Sequence, residues 1–173
     1  MNSWRITKYN PTFRDEHGAY LKDEWTSVSD VGKSFDGELL TFDKYREVED
    51  AHVSTALSFV SEAGLAALTV MYLEAHNVDT AKAKDLLGIT FDPKLVRTGM
   101  ELSGEALSDL CRLVLREILW CKLESAGFYL HFGYDYYLYV GSPASSERSI
   151  AYGKRAGLYV EEMESPYLAV AEA

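Results

Sequence analysis

The chain has 173 residues, of which 47% are hydrophobic and 25% are charged, and these values predict one globular domain, residues 1–173, rather than a disordered chain. Its net charge of −10 at pH 7 disfavours nucleic-acid binding, because an acidic surface repels phosphate groups. The same charge favours a basic partner protein, although it would also serve simply to keep the protein soluble.

The first third of the chain predicts one strand and one long helix. Residues 4–9 alternate and are rich in β-forming residues, which is typical of a strand. Thr41 is a good N-cap, and apolar residues then recur at three- and four-residue spacing until Gly64, a natural helix end. Glu49 and the neighbouring acidic residues are expected on the exposed side of this helix, as solvated charges or as a face toward a basic partner.

The middle of the chain predicts a buried strand and a second long helix. Residues 66–74 are largely apolar, with β-branched and aromatic members, and indicate the strand. Ser103 then caps a helix over residues 104–125 that is apolar almost all the way round and ends at Gly127. The signals between these elements are weaker and predict only a short helix over residues 79–87.

The last third predicts a β-hairpin and a shorter helix. Residues 128–132 and 136–140 form the two strands of the hairpin, with a Gly-Tyr-Asp turn between them. Ser145 or Ser146 caps the third helix, which ends at Ala156.

Residues 158–163 add a final strand, and residues 165–173 follow as a tail. Long helices interleaved with strands and one hairpin favour an α+β fold, a two-layer sandwich of a mostly antiparallel sheet with two long helices and one shorter helix. A mainly parallel α/β sheet is the alternative.

The N-terminus and the cysteines indicate the compartment. The sequence MNSWRITKYN lacks the apolar core of a signal peptide, and no apolar run approaches the ~20 residues of a membrane span. Cys111 and Cys121 are both expected on the second helix, too far apart for a disulfide, and buried free thiols suit a reducing compartment. We therefore expect a cytoplasmic protein with no membrane association.

The sequence contains no recognisable catalytic or cofactor motif. It has no Walker loop, dinucleotide fingerprint, HExxH pair, CxxC pair or nucleophile elbow. The histidines show no metal-ligand spacing; they are His17, His52, His76 and His131. We therefore expect no cofactor and no metal, and a non-enzymatic protein is favoured.

An enzymatic alternative remains open around His131. In the hairpin, Asp135 would lie close enough to orient the His131 imidazole, which is half of a general acid–base arrangement. With Glu117, which interrupts the apolar helix beside Arg116, these residues would form the site of a small hydrolase or transferase. The simpler interpretations are a polar cross-strand pair and one polar stripe of a crowded helix, because no nucleophile or oxyanion feature accompanies them.

Strand alternation divides the hairpin into two faces. The predicted core face consists of Leu130, Phe132, Leu138 and Val140. The second face, called here the tyrosine face, consists of Tyr129, His131, Tyr137 and Tyr139. It would be covered by a helix of the same chain, by a second copy in a homodimer, or by another protein, and tyrosine is enriched at such interfaces.

Four blocks, WRITKYNP, EWTSVSDVGK, LHFGYDYYLYVGS and GLYVEEMESPY, resemble segments of small uncharacterised bacterial proteins that have the same order of blocks. This resemblance implies a bacterial origin and a single domain, and it assigns no catalytic residue. The acidic charge and the Asp-Tyr-Tyr cluster are also similar to those of acidic immunity proteins that block nuclease toxins.

Together these observations predict a cytoplasmic, non-enzymatic protein-binding module, with an immunity- or antitoxin-type inhibitor as the specific form. The expected partner is a basic protein such as a toxin. The predicted contact surface consists of His131, Tyr134, Asp135, Tyr137 and Tyr139, where acidic residues steer the partner and tyrosines anchor it.

Overall fold

The computed structural model describes residues 1–75 and 87–168. Within these ranges the chain forms three α-helices and nine strands. Their bounds are β1 Asn2–Thr7, β2 Ser34–Phe35, β3 Glu38–Leu39, α1 Phe42–Glu62, β4 Leu68–Glu74, β5 Glu101–Leu102, α2 Gly104–Leu115, β6 Trp120–Ser125, β7 Phe128–Phe132, β8 Leu138–Ser142, α3 Glu147–Arg155 and β9 Tyr159–Glu162.

Seven strands form one sheet in the order β5-β4-β6-β7-β8-β1-β9, and every neighbouring pair is antiparallel. The remaining two strands, β2 and β3, pair with each other. The predicted α+β class and antiparallel sheet are therefore confirmed, and the mainly parallel alternative is wrong. The N-terminal strand β1 lies between the two C-terminal strands β8 and β9.

The first helix has the predicted start and end. The Thr41 hydroxyl accepts a hydrogen bond from the Lys44 N–H at 3.2 Å, so it satisfies one of the free donors of the first turn. At the other end Gly64 adopts a left-handed φ of 71°. The predicted short helix over residues 79–87 lies almost wholly outside the described residues.

The second helix is much shorter than predicted, so the expectation of two long helices is wrong. It ends at Leu115, and Trp120–Ser125 forms strand β6 between β4 and β7. The side chains of Cys121 and Leu123 are fully buried in the core. The apolar residues of a central strand have the same composition as those of a buried helix. The six-residue length of β6 indicates a strand, but this length is apparent only once the end of α2 is known.

The hairpin is present, but its second strand begins at Leu138, two residues later than predicted. The predicted core face is confirmed, since its four side chains are at most 1% exposed. They belong to one core cluster with residues of the helices and of β1, in which the ring centroids of Trp4 and Phe59 lie 5.4 Å apart.

The third helix begins after Ser146, which is one of the two predicted cap residues, and ends at Arg155. Ser146 itself makes no capping hydrogen bond. Instead, the carboxylate of Glu62, at the end of α1, accepts hydrogen bonds from the backbone N–H groups of Arg148 at 3.2 Å and Ser149 at 2.8 Å. A residue of one helix therefore caps another and fixes their relative position.

Glu49 is completely buried, so its predicted exposed position is wrong. It lies at helical spacing from buried Tyr45 and His52, which places it on the core side of α1. Its carboxylate accepts two hydrogen bonds from Arg116, at 2.6 and 2.7 Å, and one from Arg112, at 2.9 Å. This buried ion pair joins α1 to the last turn of α2.

Candidate functional site

The tyrosine face is covered by the chain's own C-terminal segment. His131 is fully buried: its Nδ1 lies 2.8 Å from the Ser165 hydroxyl and its Nε2 lies 3.0 Å from the Glu124 carboxylate. Its ring stacks on Tyr129, with the centroids 4.5 Å apart. Burial lowers the pKa of His131, against the opposing effect of the Glu124 carboxylate.

Tyr167 completes this cover. Its ring packs against Trp120 at 5.6 Å and Tyr139 at 6.0 Å between centroids, and its carbonyl accepts a hydrogen bond from the Lys122 ammonium. Tyr139 is 8% exposed as a result. The predicted tail is thus a packed element over the described residues that precede 169.

Tyr137 lies at the edge of the covered region and is half-buried. Its hydroxyl accepts a hydrogen bond from Arg14 at 3.2 Å, and the Arg5 guanidinium lies over its ring at 5.3 Å. Tyr137 is therefore already held by two cations of the same chain.

Gly141 supports the tyrosine face and was not singled out from the sequence. A Cβ atom at this position would lie 2.1 Å from the Tyr129 ring, so the ring rests directly on the glycine backbone. A glycine inside a strand indicates such a close approach, but the predicted strand ends at residue 140, so only the observed strand β8 includes Gly141.

Tyr134 and Asp135 remain exposed at the tip of the hairpin loop, and Tyr134 is 80% exposed. The loop is closed by a hydrogen bond from the Gly133 N–H to the Tyr137 carbonyl at 2.7 Å. Beside it opens a cavity of about 460 Å³ between the end of α2, the start of β6 and the loop, called here the acidic cavity. Its apolar lining consists of Val114, Leu115, Ile118, Leu119, Trp120 and Phe132.

The charged residues that line the acidic cavity in the described part of the chain are all carboxylates: Glu74, Glu117 and Asp135. The side-chain carboxylates of Glu117 and Asp135 form no ion pair or hydrogen bond with any other described residue. Partial burial and the negative charges of Asp135 and Asp30 raise the pKa of Glu117. The cavity therefore has a negative potential and an apolar wall.

Glu117 occupies a backbone position that usually belongs to glycine. The Glu117 N–H bonds to the Val114 carbonyl and the Ile118 N–H bonds to the Leu113 carbonyl, both at 3.0 Å, which is the Schellman arrangement at the end of a helix. Glu117 has a φ of 58°, and an L-residue is disfavoured there. This explains why the sequence did not reveal the end of α2.

Two further residues of the cavity lining, Asp135 and Tyr136, also have positive φ, at 57° and 63°. Such conformations persist only where the surrounding structure enforces them, and they are concentrated at functional sites. Half of the six positive-φ residues other than glycine among residues 1–75 and 87–168 line this one cavity.

The structure divides the predicted contact residues into three groups. His131 and Tyr139 are buried under Tyr167, Tyr137 is half-buried, and Tyr134 and Asp135 are exposed. Of the alternative catalytic set, Glu117 and Asp135 line the same cavity, while His131 is not among its lining residues.

No group of three or more His, Cys, Asp or Glu side chains within the described ranges is placed to hold a metal ion. In the same ranges, no helix has the length and apolar character needed to cross a membrane. The chain matches no protein-family model, and comparisons with curated proteins and with solved structures give no match.

Proposed function

We propose that this chain is a non-enzymatic cytoplasmic protein that binds a basic partner protein, with an immunity- or antitoxin-type inhibitor of a toxin as the specific form. The observation that carries this proposal is the acidic cavity with its exposed rim. The described charges around it are all negative, and Tyr134 projects from the adjoining loop with 80% of its surface exposed.

Electrostatics and tyrosine chemistry support the same proposal. A net charge of −10 speeds the encounter with a basic protein and selects against acidic ones. An exposed tyrosine supplies a large contact area and a hydroxyl at a small entropy cost, and such residues are frequent hot spots. The bacterial origin that the sequence blocks imply is compatible with this function.

The contact in this proposal is made by Tyr134 and Asp135, with Tyr137 at its edge. Because Tyr167 covers His131 and Tyr139, these two residues do not contact the partner in this proposal and serve only as structural support for the loop. We also propose two layers, with the helices on the core face of the sheet and the C-terminal segment on the tyrosine face. A homodimer through the tyrosine face is a weaker proposal, because residues 164–168 already occupy it.

The test is a co-purification from the native host that compares the wild-type chain with Tyr134→Ala and Tyr152→Ala. Tyr152 is also exposed, at 39%, but lies on α3, so its variant controls for the loss of a surface tyrosine. We expect a basic protein to be retained by the wild-type chain and by Tyr152→Ala, and to be reduced at least tenfold by Tyr134→Ala. Recovery of no partner at low or moderate salt, or equal retention by all three, would contradict the proposal.

The rival proposal is a small hydrolase or transferase that uses His131 with Asp135. One observation favours a catalytic role for His131, although with other partners than Asp135: His131 contacts both the Ser165 hydroxyl and the Glu124 carboxylate, an order of groups found in serine nucleophile systems. It has less support, because Ser165 is 5% exposed and His131 is fully buried. If His131→Ala and Ser165→Ala leave every phenotype of the gene intact, the rival fails.

A further inference from the structure

We propose that the acidic cavity binds the side chain of a single arginine of the partner, with the aliphatic stem along the apolar wall and the guanidinium at Glu117 and Asp135. The proposal rests on the proposed function and names the group that the site recognises. It follows from the size of the cavity, the chemistry of its lining and the placement of its two unpaired carboxylates.

The volume and wall of the cavity suit a long, partly apolar side chain. At about 460 Å³ the cavity is near the lower end of the range for ligand sites, which is roughly 300–1,000 Å³. Ile118, Leu119 and Phe132 supply apolar surface, against which the methylene groups of a basic side chain would be buried.

The charge of the cavity requires a cation. A neutral apolar occupant would remove water from Glu117 and Asp135 without replacing its hydrogen bonds, which is unfavourable for ionised groups. An anionic occupant would be repelled by both carboxylates. A cationic head between them would satisfy both and would also offset the charge of Asp135, which adds to the effect of burial in raising the pKa of Glu117.

Two features favour arginine over lysine. A guanidinium presents five N–H donors in one plane and bonds to carboxylates in a bidentate manner, so that one group can serve both Glu117 and Asp135. It also stacks on aromatic rings, and Tyr134 and Trp120 both line the cavity.

The probe is N-acetyl-arginine amide, titrated into the full-length ¹⁵N-labelled chain and followed by NMR. The indole N–H of Trp120, which donates to the Phe132 carbonyl at 2.8 Å, and the amides of Ile118 and Gly133 report on the cavity. We expect these signals to shift with a Kd on the order of 1 mM, which is reasonable for one isolated side chain. The citrulline amide, which has the same shape without the charge, is expected to cause no shift.

Asp135→Asn and Asp36→Asn form a matched pair of variants. Both residues are exposed and left-handed, with φ of 57° and 49°, and asparagine tolerates that conformation, so each change removes one charge with little strain. Asp36 lies in the turn between β2 and β3, outside the acidic cavity. We expect Asp135→Asn to weaken binding of the arginine amide about tenfold, as loss of one charge-assisted bond implies, and Asp36→Asn to leave it unchanged.

Three results would overturn the inference. These are equal shifts with the citrulline amide, equal affinity of Asp135→Asn and wild type, or shifts that avoid the cavity signals. Equal affinity for the lysine amide would overturn the assignment of a guanidinium. If a Tyr134-dependent partner is found but the arginine amide does not bind, this inference fails and the proposed function stands. If the arginine amide binds but no Tyr134-dependent partner is found, the proposed function fails although the cavity binds a guanidinium.

Discussion

The ends of α1 and α2 have the same hydrogen-bond pattern on different residues. At the end of α1 the Gly64 and Leu65 N–H groups bond to the Ser61 and Val60 carbonyls at 3.0 and 3.1 Å, and Gly64 takes the left-handed position. At the end of α2 the same position is held by Glu117. Glycine adopts it without steric cost, whereas glutamate does not.

The backbone geometry at the end of α2 therefore does not depend on a favourable local residue. The turn is held there by the buried pair of Arg116 with Glu49, one residue before Glu117. The unfavourable residue at that position carries a carboxylate at the mouth of the acidic cavity. The end of α1 therefore combines a cap with a residue that suits it, whereas the end of α2 keeps a strained residue whose carboxylate lines the acidic cavity.

The largest effect is expected from disrupting the buried ion pair between Glu49 and Arg116, called here the anchor of α2. Glu49→Gln removes the buried carboxylate charge that pairs with both Arg116 and Arg112, which we expect to lower the free energy of unfolding by about 3–5 kcal/mol. Asp50→Asn removes the half-exposed partner of Arg112 and is expected to lower it by less than about 1 kcal/mol. Urea denaturation measures both, and similar losses for the two variants would show that the buried pair is not the anchor.

The next largest loss of stability is expected at Gly64 and Gly157, the glycines that follow α1 and α3. Gly64→Ala and Gly157→Ala place a Cβ atom on left-handed residues with no other heavy atom within 4 Å, so each change tests the backbone alone. We expect each to lower the free energy of unfolding by about 1–2 kcal/mol. Unchanged urea midpoints would mean that these positions do not require glycine.

Glu117→Gly makes the end of α2 resemble that of α1. Relief of the left-handed strain, about 1–2 kcal/mol, less the extra entropy of glycine in the unfolded chain, about 0.4–1 kcal/mol, predicts a gain of roughly 0.5–1 kcal/mol in denaturant unfolding. Glu117→Ala keeps the strain and serves as the control. If Glu117→Gly were less stable than the wild-type chain, glutamate would not be the strained residue at the end of α2.

The smallest effect is a pH dependence at Glu117. Because its pKa is raised in the folded state, protonation stabilises the fold at low pH, and that contribution is lost as the pH rises through the folded-state pKa. Glu117→Gln is therefore expected to be more stable than wild type at pH 7 by roughly 0.5 kcal/mol, as for an exposed charge, and the difference should shrink toward pH 4. A difference that is constant between pH 7 and pH 4, measured by urea unfolding, would contradict the crowding of carboxylates at the cavity.

The elements that the sequence could predict are those with a local signal. The Thr41 cap and Gly64 mark both ends of α1, and alternation places Leu130 and Phe132 in the core. The end of α2 could not be predicted, because Glu117 replaces the expected glycine and the apolar residues of β6 fit a helix as well as a strand. Local reasoning likewise could not anticipate long-range contacts, such as the covering of His131 by Ser165.

Of the candidate site, the exposed tip with Tyr134 and Asp135 could be predicted from the turn signal. The burial of Glu49 was not predicted, because glutamate is usually solvated and its partner Arg116 is distant in sequence; the one local signal was its helical spacing from Tyr45 and His52. The acidic cavity itself depends on the true end of α2, so it was not visible in the sequence.

The place of β1 between β8 and β9 has a consequence for synthesis of the chain. Asn2 pairs with Ser142, 140 positions later (142 − 2), so β1 has no partner strand in the sheet until residue 142 has emerged from the ribosome. At roughly 5–20 residues per second this wait lasts about 7–30 s. During that time β1, which carries Trp4 and Ile6, has unpaired edges, and the nascent chain would be a natural client for a ribosome-associated chaperone.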